Sequence, residues 1–233
     1  KIRVIPRGID IENFNPNAVS AERMIQLSQT WRLPDDAPVI MLPGRLTRWK
    51  GQSVLIEALA QLPDRQIRCL LVGSDQGRDG FRKSLVELAQ RLNVEDIVHI
   101  VGECRDMPAA YMLADVVVSA STDPEGFGRV MVEAQAMGRP IIASDHGASR
   151  EIVRHGNTGW LFPPGDVRRL SESIAHAIQL SVEHRQRIAE EAIANARENF
   201  AVTRMCNATL DVYRELLNEP VANASNGTRP AGA

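Results

Sequence analysis

The chain has 233 residues, 44% hydrophobic and 24% charged, enough for one compact domain with a sizeable core and some appended helix. Its formal net charge of -2 gives no broad attraction to nucleic acid or to an anionic membrane, so nucleic acid is not expected as a partner. Cys69, Cys104 and Cys206 are far apart and lack CxxC spacing, which argues against a disulfide framework or a zinc site. That usage fits a reducing compartment. A cytoplasmic setting is expected, with peripheral attachment at the inner face of a membrane left open.

In chain order, Lys1–Pro6 reads as a strand already under way, which implies that the chain was cut from a longer protein. Pro6 to Asp10 reads as a turn. Residues 20–31 form an expected helix capped by Ser20. A regular alternation follows. Val39–Leu42 is a short apolar run ending at Pro43-Gly44, and residues 52–61 carry Val54, Leu55, Ala58 and Leu59 on one helical face. Strands are expected at 67–72, 97–101, 116–119, 140–143 and 159–162. Helices are expected at 81–92, 108–114, 129–137 and 148–155. Three helices close the pattern, at 167–180, 183–199 and 203–217.

Strands that are apolar throughout and separated by helices imply parallel β-structure buried on both faces, a doubly wound α/β sheet of about six strands. In the order 3-2-1-4-5-6, ligands bind outside the carboxyl ends of the strands where the order reverses. The loops after Leu42 and after Ser119 are therefore expected to face each other.

The first loop runs from Pro43 to Gly51 and holds Arg45, Arg48 and Lys50 within six residues. Cations there, before a helix amino terminus, suit a pyrophosphate. Neither GxxxxGK[ST] nor GxGxxG is present. A solvated cationic loop is the competing reading. The second loop carries Asp123 and Glu125 into Gly126-Phe127-Gly128, and Glu133 lies about two turns into the following helix. A carboxylate is an acceptor only, suited to sugar hydroxyls. The competing readings are a helix-capping acid for Glu125 and an i,i+4 pair with Arg129 for Glu133.

Two glutamates with seven residues between them, together with Gly44-Arg45 and Lys50, resemble the family-4 group of retaining GT-B glycosyltransferases. The wider run from Glu125 through Pro140 to Ser144, the run Asn157–Asp166, and Val4–Asp10 extend the likeness over nearly the whole chain. The resemblance implies a Rossmann-like, donor-binding C-terminal domain. Arg45 and Lys50 would bind the donor diphosphate, Glu133 the ribose, and Glu125 the transferred sugar. Gly44 and the backbone of Gly126, Phe127, Gly128 and Arg129 would approach the donor, and the loop 102–107 would seat the base. Glu125, Arg45 and Lys50 are the catalytic candidates.

The implied donor is a UDP- or GDP-sugar, with no cofactor and no metal. The implied partners are an acceptor glycan or glycolipid and an N-terminal domain of the same parent protein, in bacterial envelope polysaccharide or lipopolysaccharide synthesis. The chain then divides into an interdomain junction at 1–16, the nucleotide-sugar-binding domain at 17–200, a crossover helix at 201–218 and a disordered tail at 219–233. Met205, Leu210, Val212, Tyr213 and Leu216 on that helix are expected to be partly exposed. His146 reads as a turn residue rather than a base, Trp49 as cover for the adjacent helix, and Glu151 as structural. A non-catalytic nucleotide-binding module and a GT-B epimerase or phosphorylase relative remain the alternatives.

Overall fold

The computed structural model describes residues 2–77 and 79–217. Six parallel strands, β1 (Val39–Pro43), β2 (Arg68–Val72), β3 (Val98–Gly102), β4 (Val116–Ser119), β5 (Ile141–Ser144) and β6 (Gly159–Phe162), form one sheet. Their order is β3-β2-β1-β4-β5-β6, the doubly wound order expected. The helices are α1 (Ala21–Trp31), α2 (Gln52–Ala60), α3 (Asp79–Arg91), α4 (Met107–Leu113) and α5 (Arg129–Ala136). They continue with α6 (Ser149–Ile152), α7 (Val167–Ile178), α8 (Val182–Phe200) and α9 (Val202–Leu216).

The inner strands β1, β4 and β5 are buried on both faces because both faces are covered, whereas β3 at the sheet edge is only half-buried. From β1, Ile40 and Leu42 enter one core with Leu55 and Leu59 of α2, Leu85 of α3 and Ile174 of α7. Val39 and Met41 enter the other with Tyr111 of α4, Met131 and Val132 of α5, and Phe200 of α8. Full burial of each such side chain stabilises the fold by about 1.5–3 kcal/mol. Ser20 caps α1 by accepting from the Arg23 N–H, and Asp166 caps α7 by accepting from that of Arg169.

Two local expectations are corrected. The opening segment is not a strand: Ile2 and Val4 are 97% and 82% exposed, so their alternation meets no neighbouring strand. Before Ile9 an exposed Arg3–Glu215 ion pair touches α9; backbone hydrogen bonding begins at Ile9, whose N–H donates to the Phe200 carbonyl at 2.9 Å while its own carbonyl accepts from Val202 at 2.9 Å. The helix expected at 148–155 stops at Ile152. The Ile152 carbonyl accepts instead from Gln135 Nε2 at 3.0 Å and Asn195 Nδ2 at 3.1 Å, and Val153 turns extended. The tail from 219 lies outside the described residues.

No residue of α9 is buried; Leu210, Tyr213 and Leu216 are 48%, 60% and 73% exposed, as its apolar face suggested. Among the described residues, no helix is long and apolar enough to cross a membrane.

The neighbouring strands β1 and β4 bring their carboxyl-terminal loops into contact. Gly51 has φ +74°, and a Cβ there would lie 1.8 Å from the Ala120 carbonyl oxygen, which is backbone and has no room to retreat. Replacing Gly51 with Ala is expected to cost more than about 1 kcal/mol of stability, through both the left-handed backbone and the clash. Urea denaturation reads this directly, and an unchanged midpoint would contradict it.

Candidate functional site

The site is built on the two loops that leave β1 and β4. After β1, residues 44–47 pass the end of β2 with bends at Gly44 and Leu46, and the Leu46 N–H donates to the Ser74 carbonyl at 2.9 Å. A 3-10 turn at Arg48–Lys50 then closes through Gly51 into α2. Gln52, fully buried, donates from Nε2 to the Arg45 carbonyl at 2.9 Å and fixes the loop from beneath. The Thr122 N–H donates to the Trp49 carbonyl at 2.7 Å, tying the two loops together.

Across that tie, Lys50 Nζ lies 2.6 Å from Glu125 Oε1, and the two side chains are only 14% and 15% exposed. The ammonium also sits 4.3 Å from the centre of the Trp49 ring. Ser121 Oγ donates to the same Glu125 oxygen at 2.6 Å. The turn after β5 buttresses this carboxylate. The Ala148 N–H donates to the Glu125 carbonyl at 3.0 Å, and a Cβ on Gly147 would approach that oxygen to 2.8 Å. His146 Nε2 lies 2.8 Å from the Ser121 carbonyl. Glu125 does not cap α5. The N-cap is Gly128, in the left-handed region at φ 71°, and no side chain among the described residues caps that helix. Its first N–H groups, like those of α2 behind Gly51, thus remain free of side-chain acceptors.

Glu133, one turn into α5 rather than two, is 7% exposed. Tyr111, fully buried on α4, donates to its Oε2 at 2.9 Å, and Arg129 donates to its Oε1 at 2.9 Å. The Arg129 pair is thus real, but it covers one oxygen only. Burial pushes the Glu133 carboxyl above its ordinary value, opposed by the Tyr111 and Arg129 hydrogen bonds. The Tyr111 phenol is raised well above its own, by burial first and then by the Glu133 charge.

The fold therefore brings Lys50 and Glu125 together and sets Glu133 with Arg129 one helix turn away. Gly44 lies at the mouth of the first loop. Arg45 and Arg48 are exposed and make no ion pair with a described residue. Gly126, Phe127 and Arg129 line a groove of about 580 Å³, with Val4 and Arg7 on its far wall. Residues 103–106 form one wall of a groove of about 830 Å³ whose other wall is α1. There Asp106 caps α4 and pairs with Arg23, which holds its carboxyl below the usual range. Glu151 is exposed on α6. The Trp49 ring lies against the Lys50 ammonium. No three His, Cys, Asp or Glu side chains among the described residues are grouped to hold a metal ion. Sequence reasoning missed Ser121, Tyr111 and Gln52. Ser121 stood four residues before Glu125 in an unusual loop, but nothing local marked Tyr111 or Gln52.

A family model described as Glycosyl transferases group 1 matches residues 24–195. The chain belongs to this family. A D-inositol 3-phosphate glycosyltransferase of Xylanimonas cellulosilytica is 34% identical over 218 residues, 92% of this chain and 51% of the relative. One of the same name from Corynebacterium glutamicum is 31% identical over 230 residues, 96% of this chain and 53% of the relative. The chain thus spans about half the length of the curated relatives it matches. Among solved structures, a glycosyltransferase from Rickettsia africae superposes with a TM-score of 0.91 at 32% identity, covering 94% of this chain and 58% of that one. Anabaena HepE in complex with UDP-glucose gives 0.84 at 33% identity, with 91% and 57% covered. The six-stranded sheet is that of GT-B glycosyltransferases.

Because the Glu133 carboxyl is raised, the folded state holds more protons than the unfolded chain between the ordinary carboxylate value and the raised one. Its contribution to stability falls as pH rises through that window and levels off above it. The melting temperature of a Glu133→Gln variant should therefore gain on the parent as pH rises above the ordinary carboxylate value. A difference that does not change with pH would count against a strained Glu133 carboxylate.

Proposed function

We propose that the chain is the donor-binding half of a retaining glycosyltransferase that moves a sugar from a nucleoside-diphosphate sugar to an acceptor hydroxyl. The observation that carries this reading is the Lys50–Glu125 contact, 2.6 Å long, between two loops that each lead into a helix without a side-chain cap. A diphosphate held there meets Lys50, the exposed Arg45 guanidinium and the α2 and α5 amino termini. Those fixed positive groups stabilise charge growing on the leaving phosphate. Glu125 takes sugar hydroxyls and Glu133 the ribose hydroxyls, each as an acceptor. The backbone of Gly126, Phe127, Gly128 and Arg129, beside Gly44, forms the near wall.

UDP is the favoured nucleotide, because HepE was solved with UDP and with UDP-glucose; GDP is the alternative. The acceptor is a hydroxyl of an envelope glycan or glycolipid, gripped by a further domain that packs against the exposed face of α9. The printed names of the relatives favour a second reading of the acceptor, D-inositol 3-phosphate.

Isothermal calorimetry with UDP, GDP and ADP tests the donor site. Tightest binding of UDP is expected, and no binding by any of the three would refute the reading. Arg45→Ala should weaken the bound nucleotide by about 1.5–3 kcal/mol, the scale of a hydrogen bond to a charged group. An unchanged affinity would remove Arg45 from the site.

A further inference from the structure

Lys50 and Glu125, which the proposed function assigns to different parts of one donor, are each other's partner. The pair is only 14% and 15% exposed, so solvent screens it far less than a surface ion pair. Glu125 Oε1 accepts from both Lys50 and Ser121, whereas Oε2 accepts from no described residue. A phosphate oxygen arriving at Lys50 Nζ therefore meets a cation already neutralised, with a carboxylate 2.6 Å behind it. The two anions compete for one ammonium in a half-dry setting, where like charges repel strongly.

What replaces Lys50 at Glu125 depends on the ligand. A sugar on the terminal phosphate supplies hydroxyl donors, which satisfy the carboxylate and free Lys50 for the diphosphate. A nucleoside diphosphate without its sugar supplies none. It also carries an additional charged oxygen at the place where the bond to the sugar was, facing Glu125. Resting on the donor reading above, we infer that the Lys50–Glu125 pair makes this site discriminate between the intact sugar nucleotide and the nucleoside diphosphate left after transfer. Glu125 thus has two effects of opposite sign: it attracts the donor's sugar and repels the spent nucleotide, which speeds product release.

The test is calorimetry on the chain as it stands, with UDP and UDP-glucose, or GDP and GDP-mannose should the nucleotide panel select guanine. Glu125→Gln keeps the size of the side chain and removes its charge. It is expected to bind UDP roughly three- to ten-fold more tightly than the parent, the scale of one part-buried charge interaction. The preference for UDP-glucose over UDP should shrink by at least that factor. If UDP binding is unchanged or weaker while UDP-glucose binding falls, Glu125 touches the sugar but the discrimination is overturned. If neither ligand responds, Glu125 is not in contact with the donor and the donor reading itself fails at this residue. Circular dichroism checks that the variant folds. Should it not, Ser121→Ala carries the test. With Ser121 gone, Lys50 is the remaining donor to Oε1, so UDP should bind roughly two-fold more weakly; unchanged or tighter UDP binding would overturn the inference.

Discussion

At the carboxyl ends of β1 and β4 two loops are pressed together until backbone meets backbone, with Gly51 against the Ala120 carbonyl and Thr122 bonded to Trp49. This contact follows from the topology. The chain winds from β1 through β2 to β3 on one side and from β4 through β5 to β6 on the other. At that divide, α2 and α5 leave neighbouring strand ends toward opposite faces of the sheet. Only a residue without a Cβ passes there, and only then do Lys50 and Glu125 come within reach. The charge pair is a consequence of the close packing, not its cause.

Around that contact two glutamates of one motif each meet one cation and one hydroxyl, but in different settings. Glu125 sits against a cation and a hydroxyl, at the seam between loops, where its partner can be exchanged for another. Glu133 sits inside a helix, where Tyr111 reaches it from the buried side and Arg129 from the exposed side. Burial is the largest influence on its acidity. A carboxylate held there lowers the stability of the fold once it ionises.

The helix that carries Glu133 is itself held by a polar knot. Asn195 of α8 donates to Gln135 of α5 at 2.7 Å, and both donate to the Ile152 carbonyl. These buried groups satisfy one another, so α5, α6 and α8 are joined by directional bonds as well as by apolar contact. The same knot ends α6 early and places the turn at residues 145–148 against Glu125. Stability of the helical layer and placement of the site are thereby one problem.

Much of this was legible in the residues. Apolar runs of strand length alternating with amphipathic segments specify a doubly wound sheet, because only burial on both faces suits them. The cationic loop and the two glutamates stand at strand ends, and strand ends at the divide are where such folds bind. Two local readings failed, at residues 1–6 and 148–155, because whether a strand finds a neighbour or a helix keeps its last carbonyl is decided by groups distant in sequence. For the same reason no pattern along the chain pointed to Tyr111, 22 residues from Glu133, or to the pairing of Lys50 with Glu125, 75 residues apart. By itself the sequence determined which residues carry charge and at which strand ends they lie. The tertiary structure alone decided which of those charges satisfy one another, since that depends on distances that exist only once the two halves of the sheet have closed.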